Sequence, residues 1–81
     1  MLIRVKLFAA ARQLGGAESI NVEVTGQPTV ASLRAAMVEQ FPQLAPLLKH
    51  ALIAVNADYA GGEREVGRTD EVACIPPVSG G

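Results

Sequence analysis

Helical periodicity of apolar residues extends over more than two turns at only one place in this chain, which limits what the chain can fold into. The apolar stripe consists of Val30, Leu33, Met37 and Phe41. Thr29 is a favourable N-cap before the stripe, and Pro42 disfavours helical geometry at the residue before it. Because 81 residues are too few for a second independent core, the sequence predicts one domain in which one main helix covers one face of a sheet.

Alternating and short apolar segments predict the strands of that sheet. They cover residues 3–7, 20–24, 52–55 and 71–75. The segment FAAARQLGG between the first two strands favours a short helix that its glycines end. Asn56 to Asp58 form a predicted turn, and one short edge strand is expected after it. The order β, β, α, β, short β, β predicts an α+β roll, with the strongly apolar first and last strands as central neighbours.

Composition and charge exclude several classes of function. Seven basic residues against eight acidic ones argue against electrostatic binding to nucleic acid or to a membrane surface. One cysteine and one histidine cannot form a metal cage by themselves, and no segment approaches the ~20 apolar residues of a membrane span. The start of the chain has a strand pattern rather than that of a signal peptide. We therefore expect a soluble protein of the cytoplasm that binds no metal.

No arrangement of reactive side chains predicts an active site inside the fold. Cys74 lies in an apolar strand, where a buried and inert thiol is expected. His50 is expected at the surface, and Asp70 and Glu71 are interpreted as turn formers rather than as an acid/base pair.

The end of the chain, CIPPVSGG, suggests a function of a different kind. Pro76 and Pro77 end the last strand and favour an extended backbone. Gly80 and Gly81 lack a Cβ, so they can pass through a narrow channel and present the terminal carboxylate to another protein. An idle terminus is the alternative interpretation.

Four segments resemble the small subunits of molybdopterin synthase, which are sulfur carriers of the ubiquitin-like β-grasp family. These segments are VKLFAAARQLGG, TVASLRAAM, AVNAD and DEVACIPPVSGG, and they cover most of the chain in the family's order. The resemblance implies a ubiquitin-like β-grasp roll in which a mixed sheet packs on one main helix. It places the domain at residues 1–77 and a flexible Gly-Gly tail at residues 78–81.

The resemblance also implies a mechanism centred on Gly81, with Gly80 beside it. An ATP-dependent adenylyltransferase related to ubiquitin-activating enzymes would adenylate the Gly81 carboxylate, and sulfur would replace AMP to give a thiocarboxylate. The chain would then donate sulfur to cyclic pyranopterin monophosphate inside the large subunit, in a heterotetramer of two small and two large chains. It would be a non-catalytic subunit that binds no cofactor, since the partner enzyme uses the ATP.

By the same resemblance, an apolar patch on the sheet face away from the helix docks on the partner. The implied partner-binding residues are Phe8, Tyr59, Ile75, Pro76, Pro77, Val78 and Ser79. A core position is the alternative for Phe8. Three alternatives to the whole function remain open at this stage: a β-grasp sulfur carrier for thiamine or cysteine synthesis, a ubiquitin-like protein modifier, and an interaction module whose tail is incidental.

Overall fold

The computed structural model describes residues 1–77, which form a five-stranded sheet and a layer of helices. The elements in chain order are β1 (Leu2–Leu7), α1 (Ala9–Gly15), β2 (Ser19–Glu23), α2 (Val30–Gln40), a 3-10 turn (Pro42–Leu44), α3 (Ala45–Leu48), β3 (Leu52–Val55), β4 (Asp58–Tyr59) and β5 (Val72–Ile75). The predicted order of strands and main helix is confirmed, as is the short helix in FAAARQLGG. No helix in the described part of the chain is long and apolar enough to cross a membrane.

The sheet is mixed, and its strands lie in the order β2-β1-β5-β3-β4. β1 pairs in parallel with β5, whereas β1 with β2 and β5 with β3 are antiparallel pairs. The first and last strands are therefore neighbours inside the sheet, as the sequence predicts. A parallel pair needs a crossover connection, and the chain between β1 and β5 supplies it through α2. The α+β class with a mixed sheet is confirmed.

The core lies between the sheet and α2. The inward side chains of β1, from Ile3, Val5 and Leu7, are at most 2% exposed. Leu33 and Met37 of α2 are completely buried against the sheet. Each such side chain contributes roughly 1.5–3 kcal/mol when it leaves water, so the apolar stripe read from the sequence is the main stabilising surface of the domain.

Side-chain and backbone signals define both ends of α2. Thr29 Oγ1 accepts a hydrogen bond from the backbone N of Ser32 at 3.2 Å, and Ser32 Oγ accepts one from the backbone N of Thr29 at 2.8 Å. This is a capping box in which serine replaces the usual glutamate or glutamine. At the other end Phe41 has φ −130° and ψ 69°, outside the helical region, before Pro42. The predicted cap and the predicted end are both confirmed.

The outer edge of β2 is closed at one end by a side chain from α2. Gln40 Oε1 accepts a hydrogen bond from the backbone N of Glu23 at 2.9 Å, and Gln40 Nε2 donates to the backbone O of Glu23 at 2.7 Å. The amide thus satisfies the two main-chain groups that an adjoining strand would otherwise contact.

Two residues with positive φ make the tight turn between β3 and β4. Asn56 has φ 52° and Ala57 has φ 71°. Because Val55 pairs with Asp58, the turn contains only these two residues, and Asp58 belongs to β4 rather than to the predicted turn. Positive φ at both central positions is the geometry of a type I′ turn. Asparagine tolerates this region, whereas the Cβ of Ala57 makes it unfavourable.

Replacing Ala57 by glycine should stabilise the domain. The substitution removes about 1–2 kcal/mol of strain that the left-handed backbone of Ala57 causes in the folded chain. Against this gain, glycine loses more conformational entropy on folding, which costs about 0.5–1 kcal/mol. We therefore expect the free energy of unfolding, measured in urea, to rise by roughly 0.5–1 kcal/mol. Ala35→Gly in the exposed part of α2 is the control and should lower it by about 1 kcal/mol. A lower urea midpoint for Ala57→Gly than for the unaltered chain would show that the backbone of Ala57 is not strained.

Asp70 holds together the turn that leads into β5. Its Oδ2 accepts a hydrogen bond from the backbone N of Gly67 at 2.7 Å, and its Oδ1 accepts one from Asn56 Nδ2 at 3.0 Å. Asn56 Oδ1 in turn accepts from the backbone N of Glu71 at 2.9 Å. These contacts, the one from Gly67 first, lower the pKa of Asp70 below its ordinary value. The prediction that Asp70 is a turn former is confirmed.

The lowered pKa of Asp70 predicts how stability depends on pH. A carboxyl group whose pKa is lower in the folded chain stabilises the fold above its unfolded pKa of about 4, and this contribution is lost as pH falls through the folded pKa. Asp70→Asn should lower the thermal midpoint by a few degrees at pH 7, and the difference from the unaltered chain should shrink below about pH 4. Thermal unfolding from pH 7 to pH 2 tests this. A difference independent of pH would contradict it, and Asp58→Asn on the exposed β4 is the control.

Candidate functional site

One face of the sheet carries the side chains that the core does not use. In β1, the inward residues alternate with exposed ones, of which Lys6 faces outward and Phe8 follows the strand. Strand register continues this outward row: Lys6 pairs with Ala73 of β5, Ala73 with Ala54 of β3, and Ala54 with Tyr59 of β4. Side chains from four strands therefore meet on one surface, which we call the open face.

A shallow depression of about 280 Å³ lies on the open face. It is lined by Lys6, Phe8, Ala54, Ala57, Tyr59, Glu71, Ala73 and Ile75. The structure thus brings together three of the residues implied to bind the partner: Phe8 is 47% exposed, Tyr59 is 69% exposed and Ile75 is half-buried. The exposure of Phe8 decides against the alternative of a core position.

Sequence reasoning missed several residues of this surface. Leu52, in the predicted strand at residues 52–55, was assigned no site role, but it is 47% exposed and pairs with Ile75 on the open face. Lys6 and Glu71 were assigned no site role. For Lys6 the available signal was the two-residue period of β1, which places it on the same face as Phe8.

The last described residues leave the sheet at the margin of the depression. The backbone N of Phe8 donates to the backbone O of Cys74 at 3.3 Å, so the end of β5 lies beside Phe8. Pro76 is buried and Pro77 is exposed. Val78, Ser79, Gly80 and Gly81 lie outside the described residues, so their part of the site stays a prediction.

An ion pair forms the polar side of the depression. Lys6 Nζ donates to Glu71 Oε1 at 2.6 Å, with the two side chains 49% and 65% exposed. The hydrogen bond and the positive charge of Lys6 lower the pKa of Glu71. The remainder of the lining is mainly apolar, so the depression combines an apolar patch with one ion pair.

The other reactive side chains lie away from this surface. Cys74 is completely buried, and burial raises the pKa of its thiol, although Arg34 acts in the opposite direction. Its predicted position in the core is confirmed. His50 is exposed, as predicted. Within residues 1–77, no group of three or more His, Cys, Asp or Glu side chains is placed to hold a metal ion.

Comparison with known proteins places the chain in a family. The model of the ThiS family matches residues 5–81, which is nearly the whole sequence. The chain belongs to the ThiS family. It is 37% identical over 82 residues to the molybdopterin synthase sulfur carrier subunit of Escherichia coli K12, with 99% of this chain and 100% of the relative covered. The resemblance to this group of sulfur carriers is therefore confirmed.

Solved structures show the same fold. The crystal structure of SAMP1 from Haloferax volcanii superposes with a TM-score of 0.84 and 29% identity, covering 100% of both chains. A complex of subunits 1 and 2 of molybdopterin-converting factor from Helicobacter pylori contains a chain that superposes with a TM-score of 0.69 and 22% identity, again covering 100% of both chains. The ubiquitin-like β-grasp fold of this ThiS-family chain is confirmed.

Proposed function

We propose that the chain carries sulfur for the synthesis of molybdopterin and that the sulfur is carried on the Gly81 carboxyl group, as a thiocarboxylate. The observation that carries this proposal is the open apolar face beside which the chain leaves the sheet toward its Gly-Gly end. Such a body can dock on a partner and direct its terminus into the partner's site. The family assignment and the match to sulfur carrier subunits over 99% of the chain support it.

The chemistry needs activation because a carboxylate is a poor electrophile. A partner adenylyltransferase joins the Gly81 carboxylate to the α-phosphate of ATP and releases pyrophosphate. A sulfur donor at the oxidation level of sulfide then attacks the acyl carbon, and AMP leaves with the C–O bond electrons. The product is a thiocarboxylate, and no electron is gained or lost in the exchange.

Sulfur transfer then occurs in the large subunit. The thiocarboxylate sulfur of Gly81 bonds to a carbon of cyclic pyranopterin monophosphate while a C–O bond at that carbon breaks and the oxygen leaves with the bonding electrons. Water then hydrolyses the acyl C–S bond. This step leaves sulfur on the pterin and restores the carboxylate for the next cycle. A dithiolene contains two sulfur atoms, so two thiocarboxylated chains each donate one sulfur atom for every molybdopterin. This stoichiometry suits an assembly of two small and two large chains.

Docking in this proposal uses the apolar part of the open face. Phe8, Tyr59 and Ile75 surround the depression, and aromatic side chains are enriched in protein interfaces. The partner is the large subunit, in line with the complex of subunits 1 and 2 in which the Helicobacter pylori neighbour was solved.

A second candidate function is conjugation to other proteins. A relative 32% identical over 84 residues, covering 94% of this chain, is the small archaeal modifier protein 1 of Haloferax volcanii. In that case the activated Gly81 acyl group would be attacked by a lysine amine and not by sulfur. A carrier for thiamine or cysteine synthesis would deliver the sulfur of Gly81 to a different acceptor.

One prediction of the proposed function concerns the tail. After co-expression with its adenylyltransferase and a sulfur donor, the intact chain should gain about 16 Da, the difference between sulfur and oxygen. Mixing that product with the large subunit and cyclic pyranopterin monophosphate should yield molybdopterin. Gly81→Ala should abolish the yield, yet leave the thermal midpoint unchanged within about 2 °C because Gly81 follows the described core.

Three outcomes separate the candidates. A chain that gains the mass but yields no molybdopterin would exclude the leading function and favour another sulfur pathway. Conjugates on target lysines, found by mass spectrometry, would favour the modifier. Full molybdopterin synthesis by a chain lacking Gly81 would show that the tail is incidental.

Another prediction of the proposed function concerns docking. Phe8→Ser should weaken binding to the large subunit by roughly tenfold or more, because aromatic anchors dominate interface energies. Leu14→Ser is a matched control, since Leu14 and Phe8 are both 47% exposed but Leu14 lies on α1 and does not line the depression. Isothermal titration calorimetry measures both. Equal losses for the two variants would contradict the assignment of the open face.

A further inference from the structure

We infer that Lys6 is the specificity-determining residue of the open face, because it neutralises Glu71 inside the surface that the partner covers. The matching partner surface would then be apolar and would carry no charge opposite the pair. This inference rests on the proposed function, in which the open face docks on the large subunit. It assigns a role to two polar residues that docking by apolar contact leaves unexplained.

The two residues lie within the docking surface and not at a remote edge. Both line the same depression as Phe8, Tyr59 and Ile75. Lys6 sits on β1 directly beside Ala73 of β5, and Glu71 precedes the first residue of β5. A partner that fills the depression must therefore remove water from the ion pair.

Of the other charged groups that line an adjoining depression with Lys6 and Glu71, Arg4 and Asp70 have hydrogen-bond partners of their own, and Arg68 is exposed. Arg4 Nε donates to Ser19 Oγ at 3.2 Å, and Asp70 accepts from Gly67 and Asn56. The separation of 2.6 Å between Lys6 Nζ and Glu71 Oε1 is that of a charge-assisted hydrogen bond. Lys6 and Glu71 therefore act as a pair, and among the described residues the hydrogen bond from Lys6 is the main influence that lowers the pKa of Glu71.

Covering the pair changes its importance. In the isolated chain both side chains are about half exposed, and exposed ion pairs contribute little to stability. Once a partner excludes water, a lone carboxylate or a lone ammonium is strongly unfavourable, whereas a bonded pair is tolerated. The pair should therefore affect binding much more than folding.

This asymmetry defines the partner by its chemistry. A partner charge placed opposite the pair is attracted by one member and repelled by the other, so it gains little net attraction, while it loses its own hydration and competes with the hydrogen bond inside the pair. An uncharged surface meets neither penalty and can bury Phe8 and Ile75 at the same time. A chain with the same fold but without the lysine would leave Glu71 unneutralised and would suit a partner that carries its own cation.

A double-mutant cycle tests the inference. Lys6→Met, Glu71→Gln and the double variant are titrated with the large subunit by calorimetry. Each single substitution should weaken binding about tenfold or more, and the double variant should return to within about threefold of the unaltered chain. The thermal midpoint of each isolated variant should move by less than about 5 °C. Lys49→Met and Glu39→Gln, whose residues do not line the depression, are controls that should bind normally.

The outcomes distinguish this inference from the proposed function. If the unaltered chain binds and all the variants bind equally well, the role of the pair is wrong and the function stands. If the double variant binds no better than the weaker single variant, the two residues do not act as a pair, and the inference fails. If the unaltered chain does not bind the large subunit, the proposed function fails and the inference fails with it.

Discussion

The parallel pairing of β1 with β5 is the contact on which the rest of the structure depends. It joins the two ends of the described chain inside the sheet, with Leu7 next to Cys74. Since parallel neighbours require a crossover, it also forces α2 onto one face and leaves the other face to Phe8 and Ile75. The same pairing brings the final residues of β5 to the end of β1, at the margin of the depression.

Coverage of only one sheet face separates stability from recognition. Side chains on the helix side, such as Val5, Leu33 and Met37, are completely buried and provide the apolar burial that holds the domain together. Side chains on the open side, such as Tyr59, remain largely exposed and are available for contact with another protein. Surface residues of the second group can therefore change with the partner while the core stays the same.

Periodicity predicted most of the fold, because burial of one face leaves a regular pattern in the sequence. The stripe on α2, its cap at Thr29 and its end before Pro42 followed from local chemistry. The open face could not be predicted in this way, since it depends on the register between strands distant in sequence, which no local pattern encodes. Phe8 and Tyr59 were found through family resemblance. For Lys6, the alternating pattern of β1 indicated only that its side chain faces outward, and the ion pair with Glu71 became visible only in the folded structure.

The side-chain amide of Gln40 affects how readily copies of this protein associate with one another. In the proposed function the same chain is regenerated and docks again in every round, so it has to stay unassociated between rounds. Crowded copies of a small sheet protein risk joining strand to strand along their unprotected borders. By satisfying the main chain of Glu23, Gln40 shortens the border along which a second molecule could add, and so favours dispersed single chains over fibrous aggregates.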